Sequence, residues 1–324
     1  MDRRIVVKIP SDALASVFTA EVLAKLRRAC RDSEELQFRL EVLTACGPYP
    51  SDPRKAERLR LRRARKAAWE AYVGAAYACG LLGGPRHDEI AGRLTSTNEE
   101  DFRSAMAECL ACWFFTAKLG LAVRPADSVS SGKVPDLLVV LDSQKIHVEV
   151  KAPFRKWTLE PFRGGETDIL QHRVEDAKQQ LPEGGPNIVF LVPRLRGSIC
   201  DFRYDLTHAV LGEHMIEVPI NVETGDPAGP PRDTFQPRGL FLKLWGRKRS
   251  PHYTRVSAVV CLEDDEIASS NQVDPRAPCI VIHNAIIVHN PYATVLVPRT
   301  IWGDYPQLVC EEDTLFWTDG EPIV

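Results

Sequence analysis

The sequence predicts an α/β fold: a mixed central sheet flanked by helices, with a helical region before it and a β-rich extension after it. Three observations carry that prediction. Residues 102–119 place apolar side chains at helical spacing. Residues 134–141 and 146–151 then read as two strands around the polar turn Asp142-Ser143-Gln144-Lys145, forming an antiparallel hairpin. Residues 167–181 read as a second helix, and Asn187-Ile188-Val189-Phe190-Leu191-Val192 as a buried strand. A strand–helix–strand connection implies parallel pairing through a right-handed crossover. At 324 residues, 44% hydrophobic and 26% charged, the chain can bury a substantial core and has the composition of a soluble globular protein.

In chain order, residues 1–95 form the helical region. Residues 11–28 and 33–45 carry Leu, Val, Phe and Ala at helical spacing, and Pro48, Pro50 and Pro53 interrupt the pattern. Residues 54–80 form the next helix. It opens with Arg54, Lys55, Arg58, Arg60, Arg62, Arg63, Arg65 and Lys66, ahead of an Ala-rich part with Trp69, Tyr72 and Tyr77. The basic segment 54–66 is either a phosphate-contacting face or a solvated one partly neutralised by Glu57 and Glu70. Gly80, Gly83, Gly84 and Pro85 close this part. Residues 96–195 form the central section. Ser96 with Glu99, or Thr97 with Glu100, fits a capping box, and Gly120 is a fitting helix stop. A short strand at 121–124 and a loop at 125–133 lead into the hairpin. Residues 196–324 continue the sheet, with a helix at 198–214, a Pro- and Gly-rich loop at 224–237, and strands at 240–244, 256–262 and 279–289.

The chemistry concentrates in the hairpin. Side chains alternate along a strand, so His147, Glu149 and Lys151 share one face and Ile146, Val148 and Val150 the other. The hairpin brings Asp136 opposite the end of the second strand, where Glu149 and Lys151 lie. Carboxylate oxygens suit a hard cation, and a lysine beside them can hold a water or a phosphate. In the preceding helix, Glu108 falls in the apolar stripe of Ala105, Cys112, Phe115 and Leu119. A carboxylate there needs a shared metal or a nearby lysine, unless it sits at the edge of the stripe and reaches water. Cys109 and Cys112 are spaced like a metal pair, lack a second pair, and read as core. His283 and His289 leave a second metal site open, with a structural turn at Asn290-Pro291 the preferred reading. His147-Val148-Glu149 matches half of a zinc deaminase signature, but the other half, begun by Pro278-Cys279, has Ile282 in place of its second cysteine.

Pro135-Asp136 followed by Glu149-Val150-Lys151 resembles the signature of the PD-(D/E)XK nuclease superfamily. The order helix, strand, hairpin, helix, strand is similar to the restriction endonuclease-like core of that superfamily, α-β-β-β-α-β. The resemblance implies a metal-dependent nuclease that hydrolyses phosphodiester bonds in nucleic acid, with DNA the expected substrate. It implies Mg2+, with Mn2+ as a substitute, held by Asp136 and Glu149, with Glu108 completing the metal shell. Lys151 would position the attacking water. Gln180 would point at the site from the second helix, ahead of Lys178 and Arg173. The alternative is a non-catalytic nucleic-acid- or protein-binding module on the same fold.

Net charge is −3, so nucleic-acid binding would rest on local patches. Besides segment 54–66, these are a loop with Arg155, Lys156, Trp157 and Arg163, and segment 243–255, where Lys243, Arg247, Lys248, Arg249 and Arg255 surround Trp245, His252 and Tyr253. Nine scattered cysteines fit free thiols in a reducing compartment. The N-terminal apolar run is too short for a signal peptide, and no apolar stretch reaches membrane-spanning length. These features predict a cytoplasmic protein without a membrane partner, for which a homodimer is a permitted assembly.

Overall fold

The computed structural model describes residues 12–30, 33–126, 134–153, 166–193, 202–222, 224–230, 232–236, 239–245, 248–267, 280–311 and 314–320. The N-terminal part is helical: α1 (Ala13–Val17), α2 (Ala20–Ala29), α3 (Glu34–Leu43), α4 (Pro53–Ala78) and α5 (His87–Leu94). The helix expected over 11–28 is two helices. Phe18 leaves helical dihedrals at φ −96°, ψ 68°, and Thr19 restarts the chain by accepting a hydrogen bond from the Val22 N–H. Helix α4 starts as its sequence suggests: Asp52 accepts from the Arg54 and Lys55 N–H groups, and Pro53 occupies the first turn, where its missing N–H costs nothing.

Helix α6 (Glu99–Trp113) is prolonged by a π-helical turn, Phe114–Lys118. Its cap differs from the expected one. Asn98 is the N-cap and accepts from the Glu100 N–H at 3.0 Å. The Ser96 hydroxyl instead donates to Asp101 at 2.9 Å and accepts from the Asn98 N–H at 3.1 Å. Asn is as good a cap as Ser, so the helix begins after Asn98 and neither capping box forms. Gly120, at φ +67°, ends the run, and the Leu121 N–H reaches back to the Phe115 carbonyl at 2.9 Å.

An eight-stranded mixed sheet follows. Its first part is β1 (Ala122–Pro125), β2 (Leu137–Leu141) and β3 (Gln144–Lys151), then α7 (Glu166–Gln180) and β4 (Asn187–Leu191). The rest of the chain supplies α8 (Phe202–Val210), β5 (Glu213–Glu217), β6 (Arg232–Gln236), β7 (Leu242–Trp245), β8 (Lys248–Pro251), β9 (Ala258–Ile267), β10 (Ile280–His289), β11 (Gln307–Glu311) and β12 (Thr314–Trp317). Strand order in the sheet is β1-β2-β3-β4-β9-β10-β11-β12. Strands β1, β2 and β3 are antiparallel neighbours, and β3, β4 and β9 run parallel. The central section and the C-terminal residues therefore share one sheet. Strands β5–β6 and β7–β8 form separate two-stranded pairs. The helix expected over 198–214 ends at Val210, because residues 213–217 pair with 232–236, inside the stretch expected to be loop.

The sheet packs on both faces. Val148, Val150, Phe190 and Ile287 belong to one core with Trp69 and Tyr72 of α4 and Ala105, Leu110 and Cys112 of α6. Val189, Leu191, Val259 and Val288 belong to the other, with Leu170, Val174 and Ala177 of α7 and Leu206 and Val210 of α8. All five residues of β4 are buried, as a central parallel strand covered on both faces requires. Helices α1 to α5 contribute to the first of these cores, which places the helical region against the sheet. Among the described residues, no helix is long and apolar enough to cross a membrane.

Candidate active site

The β2–β3 hairpin sets the site. Its turn is Asp142-Ser143, with Asp142 in the left-handed region at φ +52°, where Asp is tolerated, and Leu141 pairs with Gln144. That register pairs Leu137 with Val148, so the next position, Asp136, stands opposite Glu149. The Asp136 carboxylate is fixed by the Val150 N–H, which donates to Oδ2 at 2.8 Å. Lys151 donates to Glu149 Oε1 at 2.6 Å. The second carboxylate oxygen of Glu149, Oε2, is buried and has no hydrogen-bond partner.

Glu108 joins this group from α6. It is 2% exposed, so it does not sit at a wetted edge of its stripe. Its partner is neither a lysine nor a shared ligand: Arg93 reaches Oε1 at 2.7 Å and Arg86 reaches Oε2 at 3.3 Å. Arg86 also lies 3.9 Å from Asp136 Oδ1 and donates to the Asp136 carbonyl at 3.3 Å. Glu89 pairs with Arg86 at 2.9 Å and with Arg93 at 3.3 Å. Four carboxyl groups thus meet three cations, so full ionisation would leave an excess negative charge.

That imbalance is visible in the ionisation of the site. Burial first, then the charge of Asp136, pushes the Glu149 carboxyl up to about 8 against the pull of Lys151. The same two causes push Glu108 up to about 7 against its arginines. Burial also raises Asp136, opposed by the Val150 N–H and by Lys151. Three neighbouring carboxyls thus resist ionisation, one with an orphaned oxygen, and positive charge beside them would favour their ionised forms. Among the described residues, no group of three or more His, Cys, Asp or Glu side chains is arranged to hold a metal. Magnesium characteristically takes one or two protein carboxylates and fills its shell with water and phosphate oxygens, so Asp136 and Glu149 fit it as a pair. Glu108 is engaged by Arg86 and Arg93 instead.

Gln180 is not brought to this cluster. It is exposed and is the last residue of α7. The chain runs from there into β4 at Asn187, which pairs with His147, whereas the carboxylates lie towards Lys151, which pairs with Leu191. A crossover helix runs back along the strand it follows, so its last turn lies at the far end from the site. Arg173 pairs with Glu100 at 3.6 Å, and the Lys178 ammonium sits 3.9 Å over the Tyr253 ring.

Sequence reasoning passed over Arg86 and Arg93. Both follow the Gly-Gly-Pro break that seemed to close the helical part, and α5 is only eight residues long. A signal was present: Arg86, Glu89 and Arg93 are spaced for i,i+3 and i,i+4 pairing, upstream of a buried glutamate that required a cation.

Among the described residues, part of the basic patches is engaged within the protein. In α4, Arg60 and Arg65 are buried, Arg62 pairs with Glu41 at 3.1 Å, and Arg63 donates to the Gly47 carbonyl. Arg54, Lys55 and Arg58 remain exposed. Arg255 donates to the carbonyls of Lys178 and Leu181 at 3.4 and 3.3 Å. The side chains of Lys243, Trp245, Arg247, Lys248 and Arg249, and the whole loop with Arg155, Lys156, Trp157 and Arg163, lie outside the described residues. Cys109 and Cys112 are buried in the core, and the Cys79 thiol lies 3.1 Å from Cys112.

The two histidines of β10 each have their own partner. His289 Nε2 meets Gln307 at 3.0 Å, and His283 Nε2 lies 2.5 Å from the Tyr72 hydroxyl. Burial, then the charges of Lys118 and Arg65, pushes His283 from its ordinary 6.5 down to about 4. Because the folded-state value is the lower one, the unfolded chain protonates first as pH falls. The stability His283 contributes is full above 6.5 and is lost between 6.5 and about 4. His283→Gln is therefore expected to gain on the wild type as urea unfolding is repeated at successively lower pH across that window. A constant difference would place the titration elsewhere. The chain matches no protein-family model, no curated protein and no solved structure.

Proposed function

We propose that this protein is a metal-dependent nuclease, with DNA as the expected substrate and Mg2+ as the cofactor. The observation that carries the reading is the convergence of Asp136, Glu149 and Lys151 across one hairpin, with the outer oxygen of Glu149 buried and unpartnered. The strand order supports it: a helix, three antiparallel strands, a helix and a parallel strand is the order expected of a restriction endonuclease-like core.

The residues divide the work. Asp136, oriented by the Val150 N–H, and Glu149 would hold the cation between the two strands. The cation, when bound, supplies Lewis-acid activation of water and charge relief on the phosphate. The Lys151 ammonium, 2.6 Å from Glu149 and about a quarter exposed, stands where it can orient a water and face a phosphoryl oxygen. Held by Glu149, Lys151 acts by orientation and charge. Arg86 and Arg93 hold Glu108 and keep α6 seated against the hairpin.

A second reading, a non-catalytic binding module, is favoured by one observation: the arginines already compensate Glu108 without a metal. Incubation of supercoiled and linear DNA with Mg2+ or with chelator separates the two. The nuclease reading expects chelator-sensitive cleavage that Lys151→Ala loses. Binding unaffected by chelator, with neither DNA nor RNA cut, would leave the module.

A further inference from the structure

In the nuclease reading Arg86 serves to help hold Glu108, and its position offers more than that. It stands at the start of α5, and its side chain is 21% exposed. From there it faces Glu89, Glu108 and Asp136 together. Its neighbour Arg93 reaches Glu89, Glu108 and Ser104, so Glu108 retains a cation of its own at 2.7 Å if Arg86 moves.

Asp136 differs. Its Oδ2 is taken by the Val150 N–H, which leaves Oδ1 as the oxygen open to a cation. Arg86 faces that oxygen at 3.9 Å, close enough for charge attraction and too long for a hydrogen bond. The same guanidinium is doubly hydrogen-bonded to Glu89, at 3.0 and 2.9 Å. The Glu89 side chain is 50% exposed, so the shorter bonds of Arg86 lie on its solvent side, and the inner ones, to Glu108 and to the Asp136 carbonyl, are longer at 3.3 Å each.

We infer that Arg86 is the resident counter-ion of the metal position at Asp136: it balances Oδ1 in the metal-free protein and withdraws towards Glu89 when a divalent cation takes that oxygen. This rests on the metal-dependent reading above. The physical basis is that a guanidinium and a divalent cation about 4 Å apart repel strongly unless water or counter-charge intervenes. Arg86 therefore lowers metal affinity, and in the loaded site its guanidinium is free to meet a phosphate oxygen of the substrate.

The test is Mn2+ calorimetry on the intact wild type, Arg86→Gln and Glu149→Gln, with Mg2+ titration of wild-type protein followed through the arginine Nε–H resonances. Arg86→Gln is expected to bind Mn2+ about tenfold more tightly than the wild type. The Arg86 resonance of the wild type is expected to shift with Mg2+. Metal binding by the wild type that Glu149→Gln loses, but that Arg86→Gln leaves unchanged or weakens, would overturn the role of Arg86 and leave the metal site standing. Absence of Mn2+ binding in wild type and Arg86→Gln alike would remove the metal reading and this inference with it. Should Arg86→Gln not fold, the wild-type resonance decides: a shift on metal binding supports the exchange, and an unmoved resonance in metal-bound protein overturns it.

Discussion

Glu149→Gln is expected to cut the proposed DNA cleavage sharply while leaving the fold as stable as the wild type or more so. The two effects come from one feature. Glu149 is 3% exposed, its Oε2 has no partner, and burial and Asp136 both disfavour its charge. A carboxamide has nearly the same shape and carries no charge, so it removes that cost. Lys151, whose side chain is 23% exposed, loses its partner but can turn to water. The same substitution removes a proposed anionic ligand, and cleavage should fall on the order of a hundred- to a thousand-fold, the range seen when one charge-stabilising group is lost from an active site. Cleavage rate and urea midpoint on the same preparation check both halves. A structural ion pair between Glu149 and Lys151 would instead give a lower midpoint and no loss of any activity.

The largest stability effect is expected from Arg93→Ala. Glu108 is almost wholly buried and depends on two guanidinium groups, the nearer being Arg93 at 2.7 Å. Removing it leaves a buried carboxylate with only the longer 3.3 Å contact to Arg86. Breaking a buried pair from one side costs about 3–5 kcal/mol, and the remaining arginine argues for the lower end, about 3 kcal/mol. Glu108→Gln should cost clearly less, because both arginines are partly exposed and can solvate themselves. Urea unfolding of the two variants tests the asymmetry. Equal losses would mean that Glu108 is not the buried member on which the network turns.

The parts of the fold legible in the sequence were those whose periodicity is enforced by burial. The alternation through Ile146, Val148 and Val150, with a polar turn before it, specified the hairpin, and its register in turn placed Asp136 opposite Glu149. The unbroken apolar run of β4 marked a strand covered on both faces. The pair of β5 and β6 was hidden because residues 224–237 carry the Gly and Pro that ordinarily signal a loop. Strands β11 and β12, of five and four residues, are too short to show a period.

For the site, local pattern reached the residues on one hairpin and stopped there. Glu108 announced a need for a partner, but Arg86 and Arg93 are 22 and 15 residues away on a separate short helix, a relation only tertiary packing creates. Gln180 went the other way. Its helical face was readable, but which end of α7 approaches the carboxylates depends on the direction in which the crossover runs.

The metal-dependent reading is tested most directly by divalent-cation binding to the intact chain, read by Mn2+ electron paramagnetic resonance in the wild type and in Asp136→Asn. The wild type is expected to bind saturably, and Asp136→Asn is expected largely to lose that binding while remaining folded. A wild type that binds no Mn2+, or an Asp136→Asn variant that binds as the wild type does, would contradict it.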